Sequence, residues 1–229
     1  MNALRKYSAE FLGTFTLVFI AAGAVCADYY LRKTTGQGFG IIGTSLAFGL
    51  ATASVIYAIS HISGAHINPA ITIAHWITQR INPNTAIKYI LSQLLGASLA
   101  GFTLKMLFPE ALYTIYLGSS SLGDEVSTHQ GIIMEFIISF LLALTIYGTL
   151  DKRAYNGFAG LAIGLVVLFG ALVGGPISGG IMNPARAFGP AIASGQFTHH
   201  YIWWIGPIIG SIAAALLYDA VLAENGEKK

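Results

Sequence analysis

Six long runs of apolar residues, separated by polar or turn-rich segments, dominate the chain. The runs cover approximately 7–27, 40–60, 86–108, 130–150, 157–176 and 201–222. A helix rises about 1.5 Å per residue, so about 20 apolar residues span a hydrocarbon core of about 30 Å. The pattern predicts six transmembrane helices, with the polar stretch from Asp28 to Gly38 outside the first of them.

Two shorter apolar segments, 68–78 and 183–193, each begin with Asn-Pro. Asparagine is a good N-cap and proline a good first helical residue, so both segments should be helices. Each is long enough to reach only about halfway across a bilayer. We expect two half-helices that enter from opposite faces and meet near the midplane.

The chain contains an internal repeat. Gly179-Gly180-Ile181-Met182-Asn183-Pro184-Ala185-Arg186 is similar to Ser63-Gly64-Ala65-His66-Ile67-Asn68-Pro69-Ala70. Glu10-Phe11 in the first run likewise matches Glu135-Phe136 in the fourth. Three spans per copy make the second copy inverted, an arrangement that places a permeation path at the interface of the halves. The prediction is one channel domain, 1–229, with repeats at approximately 1–108 and 129–223.

Composition narrows the class of protein. Of 229 residues, 55% are hydrophobic and 10% charged, against about 25% charged in ordinary soluble domains. The net charge of +2 gives no reason to expect nucleic-acid binding. The single cysteine excludes an intrachain disulfide, and His66 has no second metal ligand at a suitable spacing, so we expect neither a metal nor a cofactor.

The distribution of lysine and arginine predicts the orientation. With the N-terminus inside, the cytoplasmic side holds Arg5, Lys6, Arg80, Lys88, Lys152, Arg153, Lys228 and Lys229. The outer side holds Arg32, Lys33 and Lys105, with Arg186 in the second half-helix. Both termini are therefore expected to be cytoplasmic.

The paired Asn-Pro-Ala motifs, one followed by arginine, and the repeated glutamates resemble the aquaporin (major intrinsic protein) family over essentially the whole chain. The resemblance implies an all-α membrane protein with six transmembrane helices, two re-entrant half-helices and an inverted 3+3 repeat. It also implies a homotetramer in the plasma or inner membrane, with one pore per subunit, and no enzymatic activity.

The resemblance assigns roles to the repeated motifs. Asn68 and Asn183, held by Pro69-Ala70 and Pro184-Ala185, would donate hydrogen bonds to one pore water. Backbone carbonyls of Gly64, Ala65, His66, Gly179 and Ile181 would line the path. Glu10 and Glu135 would brace the re-entrant loops, with a proton relay as the alternative, because an unpartnered carboxylate inside a membrane is costly.

Offsets from the motifs place the constriction of the family at Phe48, Ala171, Gly180 and Arg186. Water-selective relatives usually have histidine where Ala171 stands, whereas glycerol-passing relatives usually have aspartate where Ala187 stands. Ala191, Trp203 and Trp204 resemble the water-channel branch. Ala171 and Gly180 are expected to leave two sides of the constriction without bulk.

The resulting hypothesis is a passive channel for water, with glycerol and ammonia as further candidate solutes, that excludes protons and ions. Its partners would be these solutes and the lipid bilayer. A glycerol or polyol facilitator of the same family is the alternative. An ion-coupled transporter is more remote, since His66 and the two buried glutamates are its only candidate titratable groups in the path.

Overall fold

The computed structural model describes residues 3–155 and 157–223, and all regular elements there are helical. The helices are α1 (Ala3–Thr35), α2 (Gly40–Ser63), α3 (Pro69–Ile77), α4 (Pro83–Leu107), α5 (Thr128–Leu150), α6 (Ala159–Ser178), α7 (Pro184–Ser194) and α8 (Ile202–Leu217), the last continued by a π-helical turn, Tyr218–Leu222. All except α3 and α7 are long and apolar enough to cross a membrane. The predicted all-α class with six spans and two short helices is confirmed.

The two short helices start as the sequence predicts. Asn68 and Asn183 have extended backbones, and their side chains accept hydrogen bonds from Ala70 N and Ala185 N. The prolines that follow them occupy the first helical turn. Asn82-Pro83 starts the full-length α4 in the same way. An Asn-Pro pair therefore marks a helix start, and the short apolar run after it distinguishes a half-helix from a span.

The packing of the second half of the chain repeats that of the first. Helix α1 packs against α2 and α4, and α5 packs against α6 and α8. Each half-helix contacts the last span of the other half, α3 against α8 and α7 against α4, while α2 and α6 pack against each other. This exchange places both half-helices between full spans, which shields their backbone ends from lipid.

Most of the polar segment after the first apolar run is helical, so the break between the first two spans is shorter than the predicted Asp28 to Gly38 and covers only residues 36–39. Helix α1 continues to Thr35. Arg32 Nε donates to Asp28 Oδ2 at 2.7 Å, a pairing one turn apart that supports the helix beyond the apolar run. Asp28 Oδ1 also accepts from Gly40 N at 2.7 Å and so holds the start of α2.

The chain's first and last described residues lie at one end of the bundle, which we call the terminal face. There Arg80 pairs with Asp219 at 2.6 Å, and Tyr218 donates to Asp151 at 2.8 Å. Hydrogen bonds from Arg153 hold the pKa of the Asp151 carboxyl well below its usual range. Lys228 and Lys229, used in the orientation prediction, lie outside the described residues.

Glycines allow the spans to approach closely at equivalent places in the two halves. A Cβ added at Gly96 in α4 would meet the carbonyl oxygen of Phe11 in α1. A Cβ added at Gly210 in α8 would meet the carbonyl oxygen of Phe136 in α5. Small residues at such positions let membrane helices pack backbone against backbone.

Replacing either glycine by alanine should therefore destabilise the fold. Overpacking costs about 1–3 kcal/mol, which exceeds the gain of about 1 kcal/mol from the better helix propensity of alanine. We expect Gly96→Ala and Gly210→Ala to lower the midpoint of thermal unfolding in detergent. Gly148→Ala is the matched control, because its Cβ would make only an ordinary contact at 3.8 Å. Equal midpoints for all three variants would contradict this account.

Candidate functional site

The loops that lead to the half-helices have an unusual backbone. Helix α2 ends at Gly64 (φ 90°) and α6 at Gly179 (φ 86°), both in the left-handed region that favours glycine. Ile67 (φ 43°) and Met182 (φ 56°), directly before the two asparagines, are also left-handed. Such a conformation costs about 1–3 kcal/mol at a non-glycine residue and persists only when its surroundings impose it.

Glu10 holds the first loop from the side of α1. Its Oε1 accepts from Ser63 Oγ at 2.6 Å and from His66 N at 3.0 Å. Its Oε2 accepts from Ile67 N at 2.7 Å and from Gln93 Nε2 at 2.8 Å. Four donors converge on a fully buried carboxylate, which compensates its loss of hydration.

Glu135 does the same for the second loop from α5. Its Oε1 accepts from Ser178 Oγ at 2.7 Å and from Ile181 N at 2.9 Å, and its Oε2 accepts from Met182 N at 2.7 Å. The two glutamates thus hold equivalent backbone N–H groups in the two halves. All of these bonds are accepted by carboxylate oxygens, as the bracing role predicted for the two glutamates requires.

A second pair of side chains holds the other edge of each loop. Tyr89 in α4 donates to the carbonyl of Ser63 at 2.8 Å, and Trp203 in α8 donates to the carbonyl of Ser178 at 2.8 Å. Trp203, considered from the sequence as a marker of the water-channel branch, is buried behind the second loop. Its hydrogen bond to Ser178 helps to hold the second loop in position.

Each of the two asparagines donates a hydrogen bond across the centre of the molecule to the loop of the other half. Asn68 Nδ2 donates to Met182 O at 2.9 Å, and Asn183 Nδ2 donates to Ile67 O at 2.9 Å. Each side-chain amide has two N–H hydrogens, so one hydrogen of each asparagine is used in this crossed pair and one remains. The N-termini of α3 and α7 are thereby fixed opposite each other.

Two cavities lie on either side of this point. A cavity of about 210 Å³ opens toward the terminal face, and its wall includes Asn68, Asn183 and His66. A second cavity of about 320 Å³ lies on the opposite side, and its wall includes Ala171 and Arg186. Phe48 and Ile181 belong to both walls, so the two cavities adjoin there.

Gly180 is placed differently from what the sequence analysis expected. A Cβ added at Gly180 would lie 2.7 Å from Ala171 Cα and 2.9 Å from Gly170 O. The missing side chain therefore points at the backbone of α6, beside Ala171. The expectation of two separate open sides is wrong, since the glycine allows close packing and adds no width of its own.

Arg186 lies in the first turn of α7 and is buried in the wall of the second cavity. Its Nη1 donates to the carbonyl of Gly118 at 2.7 Å. Gly118 belongs to the long segment between α4 and α5, which forms short 3₁₀ turns at Pro109–Ala111 and Tyr116–Gly118. That segment therefore helps to orient the one arginine that reaches this cavity from the half-helices.

Sequence reasoning missed several supporting residues. Ser63 and Ser178 donate hydrogen bonds to the two glutamates. Each serine directly precedes the first glycine of its loop, so aligning the repeats would have found the pair. Gly118, which accepts from Arg186, carries no such signal. Nor does Thr72, which accepts from Gln93.

The spans, the two half-helices joined at the centre and the paired cavities define a helical membrane channel. Residues 1–218 match the model of the Major intrinsic protein family. The chain is 38% identical to aquaporin FA-CHIP of Pelophylax lessonae, over 96% of this chain and 83% of the relative. It is 38% identical to aquaporin NIP1-1 of Zea mays, over 97% and 76%.

A solved structure agrees with these sequence relatives. The X-ray structure of the aquaglyceroporin from Plasmodium falciparum superposes with a TM-score of 0.86 at 26% identity, covering 96% of this chain and 97% of the other. The chain belongs to the major intrinsic protein family, and is thus an integral membrane channel protein and no enzyme.

Neutralising Glu10 should destabilise the first loop. Glu10→Gln replaces one acceptor oxygen by an N–H₂ group that faces donors, and each buried donor left without a partner costs about 1–3 kcal/mol. We expect a lower thermal midpoint in detergent and a reduced channel permeability in proteoliposomes, and the same for Glu135→Gln. The exposed Glu125→Gln is the control. Wild-type stability and permeability in Glu10→Gln would refute the bracing role.

Proposed function

We propose that this protein is a passive channel for water that also admits small neutral solutes and excludes ions and protons. The proposal rests on the position of Asn68 and Asn183, each hydrogen-bonded to the backbone of the opposite loop. They lie between two cavities that open in opposite directions. The path runs from the terminal-face cavity past the two asparagines, between Phe48 and Ile181, and past Ala171 and Arg186.

Proton exclusion follows from the donors at the centre. The remaining N–H of each asparagine donates to the oxygen of a passing water molecule. A water that accepts from both asparagines has no lone pair free for its neighbour in the file, so the chain of hydrogen bonds needed for proton transfer is interrupted. The N-termini of α3 and α7 add positive dipole ends there, and Arg186 adds a fixed positive charge farther along, which together repel cations.

Backbone carbonyls supply the complementary acceptors. Most residues of the loops 64–67 and 179–182 have left-handed backbones. The carbonyls of Gly64, Ala65, His66, Gly179 and Ile181 accept hydrogen bonds from successive waters. Water exchanges partners along such a ladder at little cost. Gly180 contributes through its backbone only.

The size of the solute is set by Phe48, Ala171 and Arg186. Ala171 has the small side chain on the α6 side of the second cavity, and Phe48 offers an apolar surface for a carbon skeleton. Arg186 donates to a solute hydroxyl. The second candidate function, a glycerol or polyol facilitator, is favoured by this small residue and by the likeness to a protein called an aquaglyceroporin.

The assembly and placement proposed for the chain follow the family. We propose a homotetramer with one pore per subunit, in which 1–229 forms a single channel domain. The terminal face is proposed to be cytoplasmic in the plasma or inner membrane, because lysine and arginine are more numerous on that side.

Light-scattering measurements on proteoliposomes test the solute range directly. We expect rapid water flux and measurable glycerol or ammonia flux in the wild type. Ala171→His should reduce glycerol or ammonia flux severely while water flux stays within a few-fold of wild type, because histidine fills volume and adds a donor suited to water.

Ala171→Phe is the matched variant, since it fills the same place without a donor and should slow water as well. If the wild type passes water alone, Ala171 does not set the width. If Ala171→His loses water and glycerol flux equally, another side chain limits the path, and Ile181 is the first to examine because it lies in both cavity walls. A wild type without water flux would refute the proposed function.

A further inference from the structure

Two histidine rings lie side by side in the wall of the terminal-face cavity. His66 belongs to the loop after α2, and His75 belongs to the last turn of α3. Their ring centroids are 4.5 Å apart, with the rings tilted by 44°. Both residues line the cavity. The sequence analysis found no second ligand near His66, because His75 is brought beside it only when the chain reverses direction at Asn68.

The tautomer of His75 is set by its own helix. Its Nδ1 lies 3.0 Å from the carbonyl oxygen of Ile71. A carbonyl oxygen only accepts, so Nδ1 must carry the hydrogen. The neutral ring therefore has its lone pair on Nε2.

The tautomer of His66 is set by a chain of bonds that starts at Glu10. Gln93 Nε2 donates both to Glu10 Oε2 and to Thr72 Oγ1 at 3.0 Å. The single hydroxyl hydrogen of Thr72 goes to Asn68 O at 3.0 Å. His66 Nδ1, 3.2 Å from Thr72 Oγ1, must then be the donor in that contact. His66 also keeps its lone pair on Nε2.

The result is a pair of adjacent imidazoles with two available Nε2 lone pairs. No described residue donates a hydrogen bond to either Nε2 atom. Histidines that bind metals commonly donate the other ring N–H to a carbonyl or another acceptor, which fixes the ring and raises the basicity of the ligating nitrogen. Ile71 O and Thr72 Oγ1 are these acceptors here. The ring of Tyr89 packs against that of His66 with centroids 5.2 Å apart, and the ring of Tyr147 packs against that of His75 with centroids 5.0 Å apart.

We propose that His66 and His75 form a binding site for a divalent late first-row transition-metal ion, such as Cu²⁺ or Zn²⁺, and that the bound ion obstructs the channel. Imidazole nitrogen suits these ions, with Cu²⁺ the strongest of the series. In the described part of the chain, no group of three or more histidine, cysteine or acidic residues could hold a metal. Water molecules therefore complete the coordination of an ion held by the two imidazoles, and a chelator can remove that ion.

Access to the site is one-sided. The histidines lie in the cavity that opens at the terminal face, on the near side of Asn68 and Asn183. An ion that approaches from the opposite face would meet Arg186 and the positive ends of both half-helices first. The ion therefore reaches the histidines without crossing the part of the path that excludes cations.

Binding is tested with Cu²⁺ alone as the probe, by electron paramagnetic resonance of the purified protein in detergent. We expect a wild-type signal with hyperfine coupling to two imidazole nitrogens that is lost in His75→Ala and in His75→Gln. The second variant keeps a side chain of similar length in case alanine impairs folding. His129→Ala, at an exposed position on α5, should retain the signal. An unchanged signal in both His75 variants would overturn the proposal.

The obstruction rests on the channel function proposed above and is tested separately. Cu²⁺ on both sides of wild-type proteoliposomes should reduce water flux several-fold, and EDTA should restore it. Each His75 variant, compared with itself without metal, should lose this sensitivity, whereas His129→Ala should keep it. Equal sensitivity in the His75 variants would contradict the obstruction. Absence of water flux before metal is added would instead refute the proposed channel function. Electron paramagnetic resonance would in that case still show whether the two histidines bind the metal.

Discussion

The hydrogen bonds that two buried glutamates accept from two strained loops are the constraint on which the rest of the site depends. Ile67 and Met182 occupy left-handed backbone conformations that neither residue adopts without support. Glu10 and Glu135 provide it by accepting the N–H groups of those residues, each at 2.7 Å. A carboxylate is suited to this because one side chain accepts several hydrogen bonds, and because burial strengthens each of them.

The position of the asparagines follows from this backbone. With Ile67 and Met182 left-handed, their carbonyls point across the centre, where each accepts from the asparagine of the opposite half. The same constraint aligns the N-termini of α3 and α7. Both halves repeat the arrangement with serine, glutamate and a large aromatic donor, so it does not depend on one loop sequence.

Much of this could be predicted from the sequence because the signals are local. Long apolar runs predict spans, and Asn-Pro before a short run predicts a half-helix. The length of α1 was underestimated because the Asp28–Arg32 pair supports a helix that hydropathy alone ends earlier. Packing of the loops decides that the hydrogen-only side of Gly180 faces the backbone of α6. It also decides that the rings of His66 and His75 lie side by side. Those features are set by tertiary contacts that spacing along the chain does not encode.

The central claim is that water crosses between Asn68 and Asn183 while protons do not. Wild-type proteoliposomes that contain a pH-sensitive dye allow water and proton permeability to be measured on the same preparation. The account predicts water permeability well above that of protein-free liposomes, with proton permeability at the protein-free level. Proton permeability that rises in proportion to water permeability as more protein is reconstituted would contradict it.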